Sequence, residues 1–236
     1  MADVKNINRA VSDMSSEALF MDIYARCKPY TMTSMERMYA LYKATEYVVK
    51  NNIAGDVVEC GVWKGGSAML SALTLMKMGG SDRHISLYDT YSGMSAPSHK
   101  DISYAGERAD ERWAEFNRDG HNEWCYSSLE EVRENLFSSG YPQNNIRFIK
   151  GQVEETLLSA TPGQIAILRL DTDWYDSTHC ELVHLFPKLS AGGVLIVDDY
   201  GHWKGAKEAV DRYFEEFNVK MLLNRIDYTG RIGIKA

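Results

Sequence analysis

With 236 residues, 44% of them hydrophobic and 25% charged, the chain suits one domain with a sizeable core and has the composition of an ordinary globular protein. Its formal net charge of −7 argues against nucleic acid or an anionic membrane surface as the main partner, because phosphates call for a cationic face. No apolar stretch approaches the roughly 20 residues that span a bilayer, no signal-peptide core opens the chain, and Cys27, Cys60, Cys125 and Cys180 form no Cys-x-x-Cys pair, so a cytoplasmic protein with reduced thiols is expected.

Residues 1–15 are polar, and poor order is expected there. Ser16 is placed to cap a helix running to about Cys27, stopped by Pro29. Thr33 and Glu36 have capping-box spacing, and Met35, Met38, Tyr39, Tyr42 and Val49 recur at helical intervals, which reads as core packing. The preceding turn, Tyr30–Ser34, is also long enough to fold over a ligand. Asp56–Cys60 reads as a short buried strand, Gly61–Gly66 as a glycine-rich turn, and Ser67–Met78 as a helix closed by Gly79-Gly80. Ile85–Tyr88 is a second strand, ending in Asp89. From Thr90 to about Tyr126 a Ser/Gly/Pro loop leads into a charged stretch without a long apolar face, the pattern of a substrate-covering insertion.

Regular alternation then resumes. Ser128 and Glu131 form a capping box for a helix ending at Gly140; Ile146–Ile149 is a strand and Val153–Ser159 a short helix. Ile165–Leu170 is a strand, Ser177–Leu189 a helix, Val194–Val197 a strand and Ala206–Phe217 an amphipathic helix. Val219–Arg225 and Arg231–Lys235 flank a Tyr-Thr-Gly turn as a terminal antiparallel pair. The prediction is an α/β fold: a doubly wound, mostly parallel seven-stranded sheet with a C-terminal antiparallel hairpin. One domain over residues 1–236 carries an N-terminal helical cap (about 1–54) and a lid-like insertion (about 92–125).

Three groups of residues carry the chemistry. Residues 57–67 read VVECGVWKGGS, a strand entering a turn with Gly61, Gly65 and Gly66 and then a helix opened by Ser67. The spacing is not Gly-x-Gly-x-x-Gly, and no Gly-Lys-Ser/Thr follows, which disfavours a dinucleotide or triphosphate. Glu59 would repel a pyrophosphate but suits a cationic cofactor such as S-adenosylmethionine. Asp89 stands where nucleoside-binding sheets place an acid for the ribose hydroxyls, and Gly151-Gln152 falls on the same rim, near an adenine.

Finally, IAILRL and VLIV each run into acid, Asp171 after the first and Asp198-Asp199 after the second. Consecutive strands of this kind are usually neighbours, so three carboxylates converge, and an all-oxygen set selects Mg²⁺ or Ca²⁺. A cation beside a methyl donor would acidify one of two vicinal hydroxyls and orient it. Asp171 is the first candidate base and His202 the second; His99, His121 and His179 have weaker claims. Trp174, Tyr175 and Trp203 could wall the acceptor site or simply pack.

The stretches GDVVECGVWKGGSAML, LYDTYSGM, SLEEVRENL, LRLDTDWYDST and LSAGGVLIVDDYGHWKGAKEAVDRYF together resemble the macrocin O-methyltransferase family, over about Thr31 to Tyr213. The resemblance implies a class I methyltransferase-like fold and an S-adenosylmethionine- and Mg²⁺-dependent O-methyltransferase acting on a vicinal sugar hydroxyl of a natural-product glycoside or glycan. It also implies Glu59 and Gly61 at the cofactor's amino-acid end, Asp89 at the ribose, Asp171, Asp198 and Asp199 on the metal, Asp171 as base, and a homo-oligomer. More distantly the arrangement is similar to catechol O-methyltransferase, although that enzyme's basic lysine would fall near Trp174. A catechol-like phenol acceptor, or a non-catalytic nucleoside-binding or assembly subunit, are the alternative readings.

Overall fold

The computed structural model describes residues 12–236. Three helices come first: α1 (Ser12–Ser16), α2 (Ala18–Cys27) and α3 (Met35–Lys50). Strand β1 (Asp56–Cys60), helix α4 (Gly66–Met78) and strand β2 (Ile85–Asp89) follow. The next segment holds α5 (Ala109–Phe116) and a short antiparallel pair, β3 (Asn117–Arg118) and β4 (His121–Asn122). Then come α6 (Leu129–Ser138), β5 (Ile146–Lys150), α7 (Val153–Thr156), β6 (Ile165–Leu170), α8 (Tyr175–Leu185), β7 (Leu189–Val197) and α9 (Lys204–Glu216). The chain ends in β8 (Asn224–Arg225) and β9 (Arg231–Ile234).

The seven-stranded sheet runs β5-β2-β1-β6-β7-β9-β8, parallel up to β7 and antiparallel beyond it, as the alternation predicts. Side-chain alternation sorts each central strand onto two faces. Val57, Ile167, Val194 and Ile196 join the apolar layer of α2, α3 and α4. Val58, Cys60, Leu168, Leu170, Leu195 and Val197 meet α8 and α9 through Leu182, Leu185, Val210 and Tyr213. After β1 the chain builds outward to β2 and β5 and then returns to place β6 on the other side of β1. That reversal opens the crevice at the carboxyl ends of β1 and β6, where doubly wound sheets hold ligands. Among the described residues, no helix is long and apolar enough to cross a membrane.

Several boundaries differ from the sequence reading, each for a local reason. Ser34, not Thr33, caps α3 by accepting the Arg37 N–H at 3.1 Å, because the Thr33 hydroxyl is engaged with Thr31 Oγ1 at 2.9 Å. Ser16 does not cap α2; its hydroxyl donates back to the Asp13 carbonyl at 2.6 Å, and α2 starts after Glu17. Of residues 1–15, the first eleven lie outside the described residues, while Ser12–Ser16 forms a helical turn. Helix α8 begins at Tyr175 and gives way to a tight turn, Phe186–Lys188, at Pro187. Strand β7 starts at Leu189 because that residue already pairs with Ile165. The first arm of the terminal pair shrinks to Asn224–Arg225, since Val219, Met221 and Leu223 pack against the α8–α9 layer instead.

Residues 92–125 are folded onto the body. The Asp101 carboxylate, 1% exposed, accepts the Tyr175 N–H at 2.8 Å and the Ser98 N–H at 2.7 Å. Ser103 bridges Trp203, and the Lys204 N–H donates to the Ile102 carbonyl at 3.0 Å. Trp124 meets Trp174 and Trp203 edge to face, with ring centroids 5.5 and 6.2 Å apart.

Candidate active site

Register places the chemistry. Cys60 pairs with Leu170 and Leu170 with Val197, so Gly61, Asp171 and Asp198 leave the sheet level with one another. The Asp171 N–H donates to the Cys60 carbonyl at 2.8 Å and the Asp198 N–H to the Leu170 carbonyl at 2.9 Å, carrying the ladder one step into the loops. Gly61, at φ +80°, has a reason to be glycine: a Cβ there would lie 2.6 Å from the Asp171 carbonyl carbon. The packing explanation for that residue therefore holds, and the close approach also joins the two halves of the crevice.

Above these strand ends lies a cavity of about 230 Å³. Its lining includes Glu59, Gly61, Ser67 and Asp89 on one side and Asp171, Asp198, Asp199 and His202 on the other. Tyr30, Met32 and Thr33 from the cap, Gly93, Met94 and Cys125 from the 92–125 segment and Tyr228 from the C-terminal turn also line it, so the Tyr30–Ser34 segment does reach the site. A smaller adjoining cavity of about 60 Å³ shares Gly61, Asp89 and Asp171 and adds Gly151 and Gln152. Glu59, Gly61, Ser67, Asp89, Gly151, Gln152, Asp171, Asp198, Asp199 and His202, the ten site residues expected from the sequence, thus each line one of two contiguous spaces.

The three acids converge. One carboxylate oxygen each from Asp171, Asp198 and Asp199 lies within 4.8 Å of the others, and Asp199 Oδ2 is buried without a hydrogen-bond partner. Removal from water, reinforced by mutual repulsion, pushes the Asp171 and Asp199 carboxyls well above the usual range. Such a set fits a hard divalent cation, which would supply the missing partner and relieve the repulsion.

Two arginines and one aspartate belong to this cluster and were not singled out from the sequence. Arg169, within the otherwise apolar β6, donates from Nη1 to Glu59 Oε1 at 2.7 Å, and its Nη2 lies 2.7 Å from Asp171 and 2.9 Å from Asp198. Burial nevertheless pushes the Glu59 carboxyl up to about 7, with Arg169 opposing. Arg37 reaches in from α3 to bond Asp198 Oδ2. Asp173 lines the same cavity in the left-handed region, φ +68°, where it accepts the Trp203 Nε1–H at 2.9 Å; burial raises its carboxyl to about 7. The available signals were an arginine inside a buried strand, which demands an anion, and an acid two residues beyond the first metal candidate.

Other candidates have more modest settings. Asp89 is held by the glycine turn, accepting N–H groups from Val62 at 2.7 Å and Trp63 at 3.2 Å, and by the Tyr91 N–H of its own loop at 2.6 Å, so its orientation is set from within the chain. The Ser67 hydroxyl faces Met38 Sδ at 3.8 Å. The His202 ring stands edge-on to Trp203, and burial lowers its pKa. His121 packs on Tyr126 and His179 stacks on Tyr175, and neither lines the two cavities around the acids; nor does His99. Trp174, Tyr175 and Trp203 are buried and bind the 92–125 segment to the body, so packing rather than a wall is their role.

A parallel sheet with its crevice at the switch point, a glycine turn against an acid-rich rim, and an acid after the second strand define a class I methyltransferase. The macrocin O-methyltransferase family model matches residues 6–232, and the chain belongs to that family. It is 36% identical over 201 residues to the demethyldecarbamoylnovobiocin O-methyltransferase of Streptomyces niveus, covering 85% of this chain and 74% of the relative. To a 4'-O-methyltransferase of a rhamnosyl-tetracenomycin C from Streptomyces olivaceus it is 34% identical, with the same coverage. The solved structure of the O-methyltransferase NovP superposes with a TM-score of 0.76 at 33% identity, covering 88% of this chain and 82% of that one. The protein is an S-adenosylmethionine-dependent O-methyltransferase.

Proposed function

We propose that the enzyme methylates a sugar hydroxyl, one with a vicinal oxygen, on a natural-product glycoside, with Mg²⁺ held by Asp171, Asp198 and Asp199. The observation that carries this reading is the convergence of those carboxylates on the cavity that the glycine turn lines. The names of the relatives support the acceptor class, among them mycinamicin III 3''-O-methyltransferase of Micromonospora griseorubida, 30% identical over 203 residues. When bound, the cation supplies charge that acidifies a nearby hydroxyl, and the methyl donor supplies an electrophilic sulfonium methyl. Glu59, Gly61, Ser67 and Asp89 bind the donor from the β1–β2 side, with Gly151 and Gln152 at its adenine end.

For the base, Asp173 is favoured over Asp171 and His202. Asp171 is committed to the cation, and the His202 ring is packed edge-on against Trp203 and Tyr228. Asp173 faces the same cavity, its ring-nitrogen partner Trp203 fixes it, and burial raises its carboxyl, which makes it a stronger base than a solvated carboxylate. Calorimetry should show S-adenosylhomocysteine binding, and Asp198→Asn should remove magnesium-supported turnover. Asp173→Asn should lower kcat by about 10²–10⁴-fold while S-adenosylhomocysteine still binds. Turnover that persists with excess chelator would refute the metal role, and a preference for aryl diols over deoxysugar glycosides would refute the acceptor class.

A further inference from the structure

Six acidic side chains, Glu59, Asp171, Asp173, Asp198, Asp199 and Asp227, and two arginines share the region around the metal acids, and the two arginines differ in their freedom. Arg169 is locked in the sheet between Glu59, Asp171 and Asp198. Arg37 arrives on a side chain from α3 and has anions on two elements. Its Nη1 bonds Asp198 Oδ2, while its Nε lies 3.1 Å from Asp227 Oδ2 without hydrogen-bond geometry. Asp227 is itself fixed in the C-terminal turn: Oδ1 accepts the Thr229 and Gly230 N–H groups at 2.9 and 2.7 Å, and Oδ2 accepts the Ser34 hydroxyl at 2.7 Å. Gly230 leaves room for the arginine stem, since a Cβ there would stand 3.0 Å from Arg37 Cγ and Cδ. The Thr229 hydroxyl closes the loop by donating to the Asp198 carbonyl at 2.7 Å.

We propose that Arg37 is a built-in competitor for the divalent cation: it neutralises Asp198 in the metal-free enzyme and gives that carboxylate up on metal binding while keeping Asp227. The inference rests on Asp171, Asp198 and Asp199 holding a cation. Its physical basis is that a guanidinium and a metal ion cannot both be fully compensated by one carboxylate, and that Asp227 supplies Arg37 with a second anion. Because Ser34 and Thr229 belong to the same network, metal occupancy is thereby coupled to the cap and to the C-terminal turn, both of which line the cavity. In the metal-free protein Arg37 thus adds to the compensation that Arg169 gives Asp198.

The test titrates Mg²⁺ alone, without methyl donor or acceptor, into the full chain by calorimetry and follows thermal unfolding with and without chelator. Removing a full positive charge beside the site should tighten Mg²⁺ binding by Arg37→Gln by about tenfold or more. In chelator Arg37→Gln should melt below the wild type, and saturating Mg²⁺ should narrow that gap, as linkage requires. Asp227→Asn retains an acceptor oxygen for the turn and leaves Asp198 as the main anion for Arg37, so it should weaken Mg²⁺ binding. Unchanged or weaker binding by Arg37→Gln overturns the proposal. If that variant does not fold, unchanged or tighter binding by Asp227→Asn overturns it. A wild-type chain that does not bind Mg²⁺ refutes the metal reading itself, and the proposal falls with it; a wild type that binds Mg²⁺ with variants that do not differ refutes only the role of Arg37.

Discussion

Replacing Asp101 by alanine should loosen the whole 92–125 segment. The carboxylate is buried and accepts three hydrogen bonds: from the Tyr175 N–H at 2.8 Å, the Ser98 N–H at 2.7 Å and the Ser98 hydroxyl at 2.9 Å. Tyr175 opens α8, whose preceding residue Trp174 makes no side-chain cap, so Asp101 caps that helix from a distant part of the chain. Gly205, in the first turn of α9, lies against the same carboxylate, where a Cβ would come 3.2 Å from Asp101 Cγ. Two buried N–H groups left without acceptors cost about 1–3 kcal/mol each, and loss of an anion at a helix N-terminus costs about 0.3–1 kcal/mol. Against this, burial already penalises the ionised carboxylate, raising its pKa. A net loss of about 3 kcal/mol follows, or a fall in Tm of about 6–12 °C for a chain of this size. Asp101→Asn keeps one acceptor oxygen and should recover about half of it. Calorimetric unfolding measures the loss, and tryptic cleavage at Arg108, Arg112 and Arg118 reports on the segment itself. A change under about 1 kcal/mol in Asp101→Ala, with no gain in cleavage, would refute the anchoring role.

Two further outcomes follow from the site. Gly61→Ala should cost about 2–4 kcal/mol of stability and about 10²-fold in activity, since the new Cβ forces the Asp171 backbone away and must itself sit at φ +80°; wild-type turnover in that variant would show that the two loops are not coupled by contact. Glu59 sets a pH dependence. Its carboxyl rises from 4.5 to about 7 on folding, so the native state binds the extra proton between those values. Its contribution is therefore fully present below about pH 4.5 and is lost as the pH rises to about 7. Urea midpoints of the wild type should accordingly decline relative to Glu59→Gln over that window in chelator; a relative increase would reverse the assignment.

The order of elements was legible because each buried parallel strand is a short apolar run and each intervening helix has a 3.6-residue stripe. The neighbouring of β6 and β7, and with it the meeting of Asp171 with Asp198 and Asp199, followed from the rule that consecutive strands pair. Glu59, Gly61, Asp89, Gly151 and Gln152 were legible for the same reason: strand ends in a doubly wound sheet face one crevice. Caps were less legible. At Thr33 and Ser34 two adjacent hydroxyls compete for one role, and the contact of Thr33 with Thr31 leaves Ser34 to cap the helix.

What sequence by itself determined is therefore the crevice and its acids, because strand ends and glycine turns are set by local chemistry. Tertiary structure alone decided how those acids are compensated. Arg169 reads as a flaw in an apolar strand until register sets it opposite Glu59, and Arg37 reads as one polar residue in a helix until folding brings it 161 positions along the chain to Asp198. Likewise, the 92–125 segment lacks a long apolar stripe and looks like a loose cover. It is held by the buried Asp101 carboxylate, by the Lys204–Ile102 backbone bond and by Trp124 packed on Trp174 and Trp203, the residues just before α8 and α9, so its order comes from contacts distant in sequence that periodicity does not encode.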